Sequence, residues 1–127
     1  MDLSVMQTNY YVGVDLGQSY DPTAIVVVER QHGYPKQDDG VHPIDKPLNR
    51  YRVRHIKRLP LNTDYVNQVL YVGSLMRRAP LNTTAAELLI DFTGVGRPVF
   101  DIFKERGIRA KGINITAGMQ MSREPHG

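Results

Sequence analysis

The chain contains no cysteine. Disulfides and thiolate zinc sites are therefore excluded. Its four histidines, His32, His42, His55 and His126, fall in no zinc-ligand spacing such as H-x-x-x-H. No apolar run approaches the length needed to cross a bilayer. Met1 to Asn9 carries Asp2 and no basic residue, so it does not read as a signal peptide. No phosphate-binding G-x-x-x-x-G-K followed by Ser or Thr occurs, and there is no internal repeat or low-complexity tract. What is present fits one soluble domain: 127 residues, 41% apolar and 23% charged. The formal charge of +3 permits a polyanionic partner without demanding one.

Residues 1–9 read as a loose leader. Tyr10 to Gly17 reads as a buried strand, β-branched and aromatic, closed by glycine. Thr23 to Arg30 holds four consecutive β-branched residues, Ile25 to Val28, which predicts a strand buried on both faces. Residues 31–49, broken by glycine and proline, predict an irregular excursion. Arg50 to Leu59 alternates, with Tyr51, Val53 and His55 on one face and Arg52, Arg54 and Arg58 largely on the other. Its basic load suggests a strand near the sheet edge. Asn62 or Thr63 is expected to cap a helix carrying Val66, Val69, Leu70 and Met76, ended by Pro80. Glu87 to Phe92 is a fourth strand, and Thr93 to Arg97 a glycine-bearing loop. Pro98 opens a second helix striped by Val99, Ile102 and Phe103. Ala110 to Thr116 is a fifth strand, and residues 117–127 are expected to be irregular. The order β-β-β-α-β-α-β predicts an antiparallel meander followed by parallel crossovers.

Two carboxylates stand out. Asp15 lies in the first strand and Asp91 ends the fourth. Aspartate suits strand interiors poorly, and a buried carboxylate is costly unless paired, hydrogen-bonded or metal-bound. If the two strands are neighbours, the carboxylates meet at one end of the sheet. Their mutual repulsion is relieved by a divalent cation such as Mg²⁺ or Mn²⁺. Two such ions, roughly 3.5–4 Å apart, support phosphodiester cleavage. The plainer roles are a turn residue feeding Gly17 for Asp15, and a cap on the Thr93–Gly96 loop for Asp91. The basic stretch Arg50, Arg52, Arg54, His55, Lys57 and Arg58 is read either as a phosphate-contacting surface or as a solvated edge that resists strand pairing.

The string VGVDLGQSYDPTAIVVVE, followed by LLIDFTGVGRPVFDIFKERG, resembles the nuclease domain of phage terminase large subunits. There a first-strand Asp precedes a glycine turn and D-x-T-A, matched by Asp15, Gly17 and Asp21 to Ala24. A later strand ends in D-x-T-G-x-G, matched by Asp91, Thr93, Gly94 and Gly96. The resemblance spans roughly residues 10–116. It implies an α/β, ribonuclease-H-like fold: a mixed sheet of five strands with two helices. It also implies metal-dependent cleavage of duplex DNA during genome packaging, with Asp15 and Asp91 as catalytic metal ligands and Asp21 peripheral. Partners would be duplex DNA and other packaging proteins, in the cytoplasm of a bacterial host. The family's third acid lies beyond its fifth strand, where only Glu124 is available here. A packaging motor precedes the nuclease in that family, so the chain reads as a fragment with an incomplete site.

Two rivals remain. D-L-G-Q-S at Asp15 to Ser19 and D-F-T-G-V-G at Asp91 to Gly96 resemble the phosphate loops of actin-like and sugar-kinase-like ATPases. Alternatively, the chain is a catalytically silent assembly module that self-associates through an uncovered sheet face. A dinucleotide-binding reading is weaker, because Val99 stands where G-x-G-x-x-G needs its last glycine.

Overall fold

A computed structural model of the chain describes residues 1–18, 20–83, 85–115 and 121–123, the last of these as backbone. The elements run β1 (Leu3–Asp15), β2 (Ala24–Pro35), β3 (Leu48–Arg58), α1 (Tyr65–Met76), β4 (Glu87–Asp91), α2 (Arg97–Glu105), β5 (Lys111–Ile115) and β6 (Met121–Arg123). They form a single sheet in the order β3-β2-β1-β4-β5-β6. The β1-β2-β3 meander is antiparallel, and β1, β4 and β5 are mutually parallel. This is the mixed sheet with two helices that the sequence predicts, extended by the short antiparallel β6.

Period-two alternation divides the sheet into two unlike faces. Tyr10, Val12, Val14, Ile25, Val27, Leu88 and Ile90 point to the face covered by both helices. There they meet Val69, Val72 and Leu75 of α1 and Val99, Phe100 and Phe103 of α2. Each large apolar side chain fully buried in this layer contributes about 1.5–3 kcal/mol. Gly112 of β5 makes room for the Phe92–Phe100 stack, since a Cβ there would sit 2.7 Å from the Phe100 ring. The opposite face presents Gly13, Val26, Ile56, Leu89 and Ile113 with no described helix over it. Val26 and Val28 are only half-buried, so β2 is covered on one face rather than two.

Other expectations are corrected. Residues 3–9 are not a leader but the first part of β1, paired with the end of β2 through Leu3↔Pro35 and Thr8↔Gln31. The irregular excursion shrinks to residues 36–47. Asp64, not Asn62 or Thr63, caps α1, accepting the Asn67 N–H at 2.7 Å. Val66 and Leu70 are exposed, and the buried stripe is Val69, Val72 and Leu75. Phe100 joins Val99 and Phe103 in the α2 stripe.

A bulge changes β3. Its register slips between Val27 and Val28, so Val27 pairs with His55 while Val28 pairs with Val53. Arg54 is the extra residue. It falls on the helix-covered side with His55, and both line a hollow with Leu75 and Arg78. Arg54 also approaches the buried Glu29, whose carboxylate accepts the Tyr10 hydroxyl at 3.0 Å. Arg52 and Lys57 pair with Glu29 and Ile25 and share that side. Tyr51, Val53, Ile56 and Arg58 face the other way. The simple alternation expected from sequence therefore fails at His55 and at Arg58.

Candidate metal centre

Asp15 and Asp91 are the last residues of two adjacent parallel strands, and they are directly paired across the ladder. Paired residues on parallel neighbours point the same way, with backbones about 4.8 Å apart. Both carboxylates therefore stand on the uncovered face, at the carboxyl edge of the two central strands. The ladder continues past them, Leu16 N–H donating to Asp91 O at 3.1 Å and Phe92 N–H to Ile113 O at 3.0 Å.

Asp91 is held locally. Its Oδ1 accepts the Thr93 N–H at 3.0 Å and the Thr93 hydroxyl at 2.5 Å. That hydroxyl oxygen in turn accepts the Ile115 N–H at 2.7 Å, which ties the loop to β5. The capping role foreseen for Asp91 is thus real, but it engages one oxygen. Asp15 accepts no hydrogen bond from the described residues. Partial burial, then the neighbouring Asp91 and Asp21 carboxylates, push its pKa above the usual aspartate range. Asp15 is nevertheless exposed and Asp91 half-exposed, because no described helix lies over this face. Partial burial and, after it, repulsion between the two carboxylates both disfavour the ionised pair.

An open cleft of about 540 Å³ adjoins Asp15, lined by Gly17, Gln18, Asp21, Ala24, Arg58, Thr93 and Gly94. Asp21, Thr93 and Gly94 thus line the same cleft as Asp15. Gly96 instead caps α2 with φ +84°, a left-handed conformation that favours glycine. Among the basic candidates only Arg58 reaches the cleft. Arg52, Arg54 and Lys57 lie on the other side of the sheet, and Arg50 is held by Gln31 and the Met1 carbonyl.

Sequence reasoning missed two glutamines. Gln18 packs on Gly94, where a Cβ would meet its amide at 1.8 Å, so the loops after β1 and β4 interlock. Gln68 of α1 anchors the β1–β2 turn from beneath. The Gly17 N–H donates to the Thr23 hydroxyl at 2.9 Å, and that hydroxyl donates to Gln68 Oε1. Gln68 Nε2 donates to the Thr63 carbonyl at 2.7 Å. Only a polar residue on the buried stripe of α1 signalled this.

The donor chemistry fits a hard divalent cation: two adjacent carboxylates, three of their oxygens without a hydrogen bond from the described residues, and open space for water and phosphate ligands. Among the described residues no third acid or histidine completes a group of three. Glu124, the late acid considered from sequence, lies outside the described residues. Comparison with protein-family models, curated proteins and solved structures finds no match to the chain.

Proposed function

We propose that this domain is a metal-dependent endonuclease of the terminase kind, acting on duplex DNA. The observation that carries the reading is the direct pairing of Asp15 with Asp91 on one face of the two central strands. Two unneutralised carboxylates side by side are a standing cost unless a cation joins them. Asp15 and Asp91 would hold Mg²⁺ or Mn²⁺. When bound, such ions activate water and neutralise charge on the departing oxygen of a phosphodiester.

The chain's own residues set the stage. Thr93 fixes the Asp91 carboxylate, leaving its second oxygen free. Asp15, with neither oxygen engaged by a described residue, completes the pair from the neighbouring strand. Asp21 adds negative charge at the rim, which disfavours a bare nucleotide phosphate and so weighs against the ATPase rival. Arg58, the β3 cation that lines the cleft, raises the local potential there for a polyanion.

Calorimetric titration of Mn²⁺ tests the reading. Wild type should give a binding isotherm, while Asp15→Asn and Asp91→Asn should not. Negligible heat in all three proteins overturns it. Nicking of supercoiled plasmid in Mn²⁺, lost in both variants, is the matching activity readout.

A second reading, the silent assembly module, has one observation in its favour. The uncovered face carries Ile56 and Val53, exposed by 70% and 59%, beside Val26 and Leu89. Apolar surface of this kind marks interaction sites.

A further inference from the structure

Arg58 is the last residue of β3, two strands from Asp15. Its partner across the ladder is Ala24, and the partner of Ala24 on the other side is Asp15. One cross-sheet row therefore reads Arg58, Ala24, Asp15, Asp91, all on the uncovered face. The middle position is a methyl group, so nothing bulky separates the guanidinium from the carboxylates. The span from β3 to β1 is roughly 10 Å. Arg58 and Asp15 line the same cleft, with Thr93 and Gly94 at its far wall.

The guanidinium is uncommitted. Arg58 is exposed and its side chain has no hydrogen bond or ion pair among the described residues, although Asp15 and Asp21 share its cleft. Its neighbours on β3 differ. Arg50 is bonded to Gln31 and the Met1 carbonyl, and Arg54 leans on Glu29. Arg52 and Lys57 belong to the opposite side of the sheet. The bulge at Arg54 leaves Arg58 as the β3 cation on the face of the carboxylates.

We infer that Arg58 is the phosphate-binding residue of this cleft, gripping a backbone phosphate of a nucleic-acid strand laid across Ala24 toward Asp15 and Asp91. Arginine suits the task because its planar fork can bind two phosphate oxygens at once. Asp15 and Asp21 in the cleft, with Asp91 paired beside Asp15, outnumber its single cation, so a phosphate is held well only once a divalent ion has neutralised the carboxylates. Binding of strand and ion are then mutually reinforcing. The inference rests on the nuclease reading for the presence of that ion.

The test uses the full chain and a short fluorescein-labelled DNA duplex, with Ca²⁺ present to allow binding without cleavage. Anisotropy is recorded for wild type, Arg58→Gln and Arg58→Lys across a salt series. Mn²⁺ titration of each protein without DNA runs alongside. Loss of one charged phosphate contact should weaken duplex binding about tenfold in Arg58→Gln. The slope of log affinity against log salt should become shallower by about one. Arg58→Lys should keep the slope while losing part of the affinity. Mn²⁺ heats should be the same in all three proteins. Equal duplex affinity in wild type and Arg58→Gln, with normal Mn²⁺ heats, overturns the role of Arg58 alone. Absence of Mn²⁺ heat in wild type overturns the nuclease reading beneath it.

Discussion

At the scale of single residues, the chemistry turns on Asp15. Partial burial, then the Asp91 and Asp21 carboxylates, hold its pKa above the usual value near 3.9. The proton is therefore bound more tightly in the folded chain than in the unfolded one. The stability this gives is fully present below the unfolded pKa and is lost as pH rises through the folded pKa. At neutral pH the ionised side chain is thus a net cost. Asp15→Asn removes that cost, so with EDTA present it should raise the melting temperature at pH 7. The gain should shrink as pH falls toward about 4. Exposure to solvent limits it to less than about 1 kcal/mol. Thermal melts at both pH values check it, and a variant less stable than wild type at pH 7 would contradict it. Loss of Mn²⁺ binding together with gain of stability is the expected signature of a residue kept for a ligand rather than for the fold.

At the scale of elements, the site depends on how the β1–β2 turn is anchored. Thr23 is 2% exposed, and its hydroxyl links the Gly17 N–H above to Gln68 of α1 below. Gly17 itself tolerates no side chain, since a Cβ would lie 1.9 Å from the Asp21 carbonyl. The turn thus closes tightly on its own backbone and is pinned to the helix, which fixes the end of β1 where Asp15 sits. Thr23→Val keeps the shape but leaves a donor and an acceptor buried without partners. It should cost about 1–3 kcal/mol, read from the shift of the urea unfolding midpoint. Valine tolerated without loss would show that the linkage is dispensable.

The elements also mark where sequence was legible. The β-branched runs of β1 and β2, the proline that opens α2, and the pairing of Asp15 with Asp91 follow from local pattern and strand order. Leu3 to Asn9 escaped because its side chains are largely exposed, so no alternation betrays a strand held by its partner's backbone. The bulge at Arg54 escaped because an extra residue is a property of two strands together, and β3 alone reads as regular. Plain alternation without the bulge puts Arg58 on the wrong face. Its place beside the carboxylates emerged only from the register.

At the scale of the molecule, the two faces of the sheet divide the labour, and β3 belongs to both. It is an edge strand of eleven residues, exposed along nearly all its length. An edge this long invites pairing with a second copy unless charge opposes it. Arg52, Arg54 and Lys57 supply that charge on the helix-covered side, away from the cleft, where edge protection accounts for them better than contact with a strand held at Asp15. Tyr51, Val53 and Ile56 carry the other side and extend the apolar surface around Gly13 and Leu89. Association through the edge and association through the face therefore respond oppositely to substitution. In sedimentation velocity, Arg52→Gln, Arg54→Gln and Lys57→Gln combined should increase self-association, most at low salt, where the removed charges repelled best. Ile56→Lys should reduce it, because a charge at the centre of the apolar face cannot be buried cheaply against a second copy. If Ile56→Lys leaves a wild-type oligomer intact, that oligomer forms through the edge, and the open face above Asp15 and Asp91 is free to receive a nucleic-acid strand.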